Sequence, residues 1–188
     1  DRLFGAWKGD DLRGTVRCLH LSEVPPQLRD VAGVPLVLSA IGQPLPATEA
    51  KTTYSSRFAV ARPKELCRWS GRRHSVASAI LCHLYRYFLE AGIAVDIGRC
   101  FPADFPFYAH FGYRRLATGI PPIGLAPGSD QDRDLVYLLT QDGEHLMRVG
   151  SPFADHLPDR PEQREADELQ ERFKRFAADL GHGGAQAS

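Results

Sequence analysis

The chain has 188 residues, 43% hydrophobic and 24% charged, which fits one globular domain that buries its core without disulfide or metal staples. Its 23 Lys and Arg equal its 23 Asp and Glu, so it lacks the overall positive charge of a protein that coats nucleic acid or an anionic membrane. Its longest apolar stretches, such as Val34 to Ile41 and Ile80 to Leu89, fall far below the roughly 20 residues that span a bilayer. Cys18, Cys67, Cys82 and Cys100 form no Cys-x-x-Cys pair, which argues against a zinc ribbon or disulfide scaffold and for a reducing, cytoplasmic setting.

In chain order, Leu3 to Trp7 and Gly14 to Leu21 are rich in strand formers around the polar turn signal Lys8-Gly9-Asp10-Asp11, which predicts a β-hairpin. In its second arm Thr15, Arg17 and Leu19 alternate with Val16, Cys18 and His20, the period of a strand with one buried face. Residues 21–53 carry Pro25, Pro26, Pro35, Pro44 and Pro46 and predict an irregular insertion with only short helical or strand pieces, of the kind that covers a binding site. Ser55 to Ala61 and Glu65 to Ser70 are candidate strands on either side of Arg62-Pro63.

The most regular helix is expected from about Ser75 to Ala91. There Val76, Ile80, Leu81, Leu84 and Phe88 recur at helical spacing, Ser75 can cap the start and Gly92 can close the end. Ile93, Val95 and Ile97 alternate as a short strand. Phe101 to Pro106 turns, Phe107 to Phe111 makes a short helix, Gly112-Tyr113 leads into a strand, and Asp134 to Thr140 is the last strong strand. From Pro161 to Leu180 an amphipathic helix is expected, with Ala166, Leu169, Phe173, Phe176 and Leu180 on one stripe. Two uses stay open for it: packing on its own domain, or joining a partner or second subunit into an oligomer. Gly181 to Ser188 are expected to be disordered. The organisation expected is a domain over residues 1–155, followed by the helix and tail over 156–188.

Chemistry concentrates just ahead of the main helix. Between Arg57 and Arg73 six basic residues stand against one acid, Glu65. A helix N-terminus carries unpaired N–H groups that bind phosphate, and a turn bringing Arg72, Arg73 and His74 to that end adds positive charge. This is a candidate anion site. The seven histidines show no metal-ligand spacing, so no metal is expected.

The run Arg72-Arg73-His74-Ser75-Val76-Ala77 resembles the cofactor loop of the Gcn5-related N-acetyltransferase (GNAT) superfamily, Arg/Gln-x-x-Gly-x-Gly/Ala, with Ser75 at the first glycine. Phe107-Tyr108-Ala109-His110-Phe111-Gly112-Tyr113 resembles that family's Phe-Tyr-x-x-x-Gly-Phe signature. The resemblance covers roughly Leu3 to Thr140. It implies an α/β (α+β) GNAT fold, a mixed central sheet flanked by helices. Such domains open with a strand and one or two helices before the hairpin, so the first part of the domain is expected to be missing.

Glu65-Leu66-Cys67-Arg68-Trp69 is similar to the Glu-x-Ser-Arg-(Phe/Leu) strand of the autoinducer-synthase-like branch, which includes long-chain N-acyl amino acid synthases. Ser56-Arg57-Phe58-Ala59-Val60 is a second partial copy with Tyr54 in the glutamate's place. The Glu65 copy is preferred because it leads directly into Arg72. His145-Leu146 and Ser151-Pro152-Phe153 resemble the carboxy-terminal edge of the same synthases. The resemblance implies a thioester donor, either phosphopantetheine on acyl carrier protein or acyl-CoA, and a small-molecule amine acceptor. Arg72 to Ala77 would bind the donor, Glu65 would serve as base or amine anchor with Arg68 beside the acceptor, and Tyr108 would donate a proton to the departing sulfur. An ordinary acetyl-CoA-dependent N-acetyltransferase and a degenerate GNAT-like domain that binds without catalysis remain open alternatives.

Overall fold

The turn at Gly9-Asp10, with Gly9 in the left-handed region at φ 58°, joins β1 (Arg2–Lys8) to β2 (Asp11–His20) as the expected hairpin. The computed structural model describes residues 1–26, 34–41, 51–61, 66–69, 72–120, 132–158 and 163–183. Within the Pro-rich insertion it holds a 3₁₀ turn at Leu21–Glu23 and α1 (Val34–Ile41). Pro35 is tolerated there because first-turn N–H groups have no intrahelical acceptor.

The strands that follow are β3 (Thr52–Val60), β4 (Leu66–Trp69), β5 (Arg72–Ser75), β6 (Val95–Cys100), β7 (Arg114–Ile120) and β8 (Arg133–Leu139). The helices are α2 (Val76–Glu90), α3 (Phe105–His110), α4 (Gly143–Arg148) and α5 (Gln163–Gly183). Six strands form one mixed sheet in the order β1-β2-β3-β6-β8-β7, and β4 and β5 form a separate two-stranded sheet. Every neighbouring pair in the large sheet is antiparallel except β3 and β6. Those two are joined through the crossover helix α2, the connection that a parallel pair requires.

The middle of the sheet is buried on both sides. On one face α2 supplies Ile80, Leu81, Leu84, Tyr85 and Phe88 to a core shared with Val16, Val136 and Leu138. On the other, α1 and α5 cover Ile97, Leu135, Tyr137 and Leu139. Ser75 caps α2 by accepting from the Ser78 N–H at 3.1 Å, and Gly92 follows its end at φ 65°. The stripe on α5 lies against this chain's own sheet: Ala166, Leu169 and Phe173 are buried, and the Phe173 ring stacks on Tyr137 at 4.1 Å. Helix α5 also runs on to Gly183, past the point where disorder was expected.

One expectation is corrected. Arg72 to His74 do not form a turn. They lie on β5, in register with β4 from Leu66 opposite Ser75 to Trp69 opposite Arg72. Only two residues connect these strands, the shortest common hairpin link, so the basic residues are drawn into strand pairing.

Candidate active site

Strands β3 and β6 pair over only four positions, from Thr52 opposite Val95 to Ser55 opposite Gly98. Beyond Ser55, β3 stays paired with β2 and β6 with β8, so the sheet parts along its middle. The gap is a cavity of about 360 Å³ lined by Ser55, Ser56 and Phe58 of β3, by Gly98 and Cys100 of β6, and by Tyr108 of α3. It lies at the C-terminal ends of the parallel pair, where open α/β sheets take ligands. The crossover helix runs back against the strands, which brings its N-terminus to this same end, and its Leu81 lines the cavity.

Asp96 also lines the cavity, and it is fully buried. Alternation along β6 puts it on the same face as Gly98 and Cys100. Its Oδ1 accepts hydrogen bonds from Thr53 Oγ1 at 2.7 Å and Ser55 Oγ at 2.8 Å, and its Oδ2 accepts from the Tyr113 hydroxyl at 2.7 Å. Burial outweighs these donors and pushes the carboxyl up to about 7. The sequence reading did not single Asp96 out. The available signal was a lone acid inside the apolar strand Ile93-Ala94-Val95-Asp96-Ile97.

Tyr108 is half-buried beside the same cavity, its ring edge-on to Phe58 and to Tyr113. Burial first, then the charges of Cys100, Asp104 and Asp96, push its phenol up, so at neutral pH it keeps its proton. The segment behind it is firmly held. Ser151 Oγ donates to the Phe111 carbonyl at 2.9 Å, and Phe153 packs against Phe111 and stacks on Tyr85. Gly112 sits at φ 97°, and a Cβ there would overlap Leu146 Cδ2. Both family-like segments, Phe107 to Tyr113 and His145 to Phe153, therefore meet behind Tyr108. Arg99 and Arg133 line the cavity as well, Arg99 donating to the Ile120 carbonyl at 2.6 Å and Arg133 lying over the Phe101 ring.

Arg72, Arg73 and His74 are on β5, and Arg68 is on β4 opposite Arg73. Ser75 is engaged as the α2 cap, while Val76 and Ala77 are buried in the helix's first turn. Glu65 lies outside the described residues. The two Ser-Arg-Phe-like copies are separated: the one after Glu65 is in the small hairpin, whereas Ser56 and Phe58 of the other line the cavity. Buried Cys18 and Cys100 are pushed up to about 12 and about 11 by burial, which leaves them as inert thiols. Among the described residues no group of His, Cys, Asp or Glu could hold a metal, and no helix is long and apolar enough to cross a membrane.

A mixed sheet that opens between its one parallel pair, flanked by helices, with the Phe107–Tyr113 segment beside the opening, is the GNAT-type acyltransferase fold. The solved structures that it matches include FeeM, an N-acyl amino acid synthase from uncultured soil microbes, with 18% identity over 73% of this chain and 71% of that one and a TM-score of 0.52. TofI, in a ternary complex with an inhibitor and MTA, is similar at 16% identity over 80% of this chain and 69% of its own, with a TM-score of 0.51. No protein-family model and no curated protein matches the chain. At these identities the likeness is one of fold.

Proposed function

We propose that this chain is an N-acyltransferase that moves an acyl group, long rather than acetyl, from an acyl carrier protein or coenzyme A thioester to the amine of an amino acid or similar small molecule. The observation that carries this reading is the parting of β3 and β6 beside Tyr108. A linear thioester arm fits a slot between strands, and backbone N–H groups freed from sheet pairing can polarise its carbonyl. The amine attacks the carbonyl carbon, the C–S bond breaks, and Tyr108 gives its proton to the departing thiolate. The basic strands β4 and β5, with Arg68, Arg72, Arg73 and His74, lead into the N-terminus of α2 and suit the donor's phosphates, or the acidic surface of a carrier protein. Similarity of fold to an N-acyl amino acid synthase supports the amino acid acceptor of the reading.

The test is to incubate the protein with palmitoyl-CoA, palmitoyl-acyl carrier protein or acetyl-CoA and a mixture of amino acids, with N-acyl products read by mass spectrometry. N-palmitoyl product is expected; turnover with acetyl-CoA alone removes the long-chain reading. Donor at 100 times its Kd adds about 2.7 kcal/mol of stability, so thermal unfolding that no donor shifts removes the donor site altogether.

A further inference from the structure

The proposed reaction needs a neutral amine, since a protonated one has no lone pair, and of the two carboxylates among the described residues that line the cavity, Asp104 is exposed whereas Asp96 is buried and surrounded by hydroxyls. Resting on the N-acyltransferase reading, we propose that Ser55 and Asp96 are its proton acceptor: Ser55 Oγ takes a proton from the acceptor ammonium while passing its own to Asp96 Oδ1.

Three features of the geometry carry this assignment. Ser55 is the last β3 residue paired with β6, so it stands where the strands part. Of the three hydroxyls that donate to Asp96, Thr53 is sealed; Tyr113 and Ser55 both line the cavity, but Tyr113 is only 4% exposed whereas Ser55 is half-buried and the more open of the two. Donation to Asp96 fixes the direction of the Ser55 O–H, and with the Cys18 thiol of the facing strand also at this hydroxyl, a lone pair is still left to accept from a group in the cavity. Asp96 borders the cavity but is 0% exposed, so it reaches that group through Ser55. Ser55 is the catalytic residue and Asp96 is the positioning residue that holds the proton.

The proton balance is closed. One ammonium proton passes through Ser55 to Asp96, which becomes a neutral acid and later releases it to solvent. The neutral amine forms the C–N bond, the C–S bond breaks, and a second nitrogen proton compensates the one that Tyr108 gives to the thiolate. The products are the amide and the free thiol.

The groups facing Asp96 leave this role to it. Cys18 on β2, Tyr54 on β3, Tyr108 on α3 and Tyr113 are all pushed up by burial, so each stays neutral where Asp96 titrates. Helix α2 and β8 present the apolar Leu81 and Val136 to the same cavity, and Arg99, Arg133, Cys100 and Asp104 complete its ionisable lining. Burial that pushes the carboxyl up to about 7 matches its proton affinity to work near neutral pH.

The experiment compares pH profiles of kcat/KM for wild type, Ser55→Ala and Asp96→Asn with palmitoyl-CoA and the amino acid mixture, alongside a ¹³C-detected titration of the wild-type Asp96 carboxyl. Wild-type activity is expected to rise with pH through about 7. Both variants are expected to lose that limb and about 10²-fold or more in kcat/KM while still binding palmitoyl-CoA. A wild-type limb that persists unchanged in Ser55→Ala overturns the relay, as does an Asp96 carboxyl that titrates below pH 5, and the latter reading survives even if Asp96→Asn fails to fold. Wild type that turns over no thioester refutes the N-acyltransferase reading and this proposal with it, whereas active wild type with a retained limb in the variants refutes only this proposal.

Discussion

Phe173→Ala tests whether α5 belongs to the domain's own core. Phe173 is fully buried and stacks on Tyr137 with ring centroids 4.1 Å apart and an interplanar angle of 9°. Truncation removes the buried ring, leaves a cavity beneath the sheet and forfeits the aromatic pair; such Phe→Ala changes cost about 3–5 kcal/mol. In a chain of this length each kcal/mol lowers the melting temperature by about 2–4 °C, so a drop of at least about 6 °C is expected in thermal denaturation followed by circular dichroism. The effect should not depend on protein concentration, because the contacts lie within one chain. Arg164→Ala on the outer face is the control. Its side chain is 93% exposed and pairs with Glu168, so it should move stability by no more than about 0.5 kcal/mol. If the two variants melt alike, or if the Phe173→Ala loss appears only on dilution, α5 is not docked on this sheet as described.

Gly112→Ala should destabilise by about 2 kcal/mol or more in urea unfolding, because φ 97° disfavours an L side chain and the new Cβ overlaps Leu146; an unchanged midpoint would show that the Phe111–Tyr113 turn is looser than described. Gly98→Leu should fold yet lose the thermal shift given by palmitoyl-CoA, since a side chain on that face enters the cavity, whereas Gly98→Ala, whose Cβ lies at an ordinary 3.4 Å from the Ser55 carbonyl, should keep it; an equal shift in both would put the donor elsewhere. Asp96, pushed up by burial to about 7 from 3.8, holds its proton more tightly folded than unfolded, so its contribution to stability is most favourable below about pH 4 and is lost as pH rises to about 7. The stability of wild type relative to Asp96→Asn should therefore fall across that window, by at most about 4 kcal/mol, and a flat difference in denaturant titrations would contradict the burial of this carboxyl.

Local chemistry made the first hairpin and α2 legible. Gly9-Asp10 and Ser75 act within a few residues of where they stand, and the helical period of Val76 to Phe88 needs no knowledge of the rest of the chain. Pairing between distant segments was not legible. Nothing near Thr52 says that β3 runs parallel to β6 for four positions and then leaves it, and nothing near Leu66 says that this strand lies outside the large sheet. The cavity is a product of those long-range choices. For the same reason Tyr108 was found from its local motif, whereas Asp96, whose significance depends on Thr53, Ser55 and Tyr113, was not. The stripe on α5 predicted a buried face without saying what would bury it.

The four-position seam between β3 and β6 makes this sheet two three-stranded blocks sharing one short backbone ladder, with α2 as the packed bridge over them. Amide exchange should reveal the blocks as separately opening units, β1-β2-β3 and β6-β8-β7. A molecule lodged in the gap touches both blocks at once and so should slow exchange on either side together. Occupancy could then be detected in the protein alone, before any reaction partner has been found.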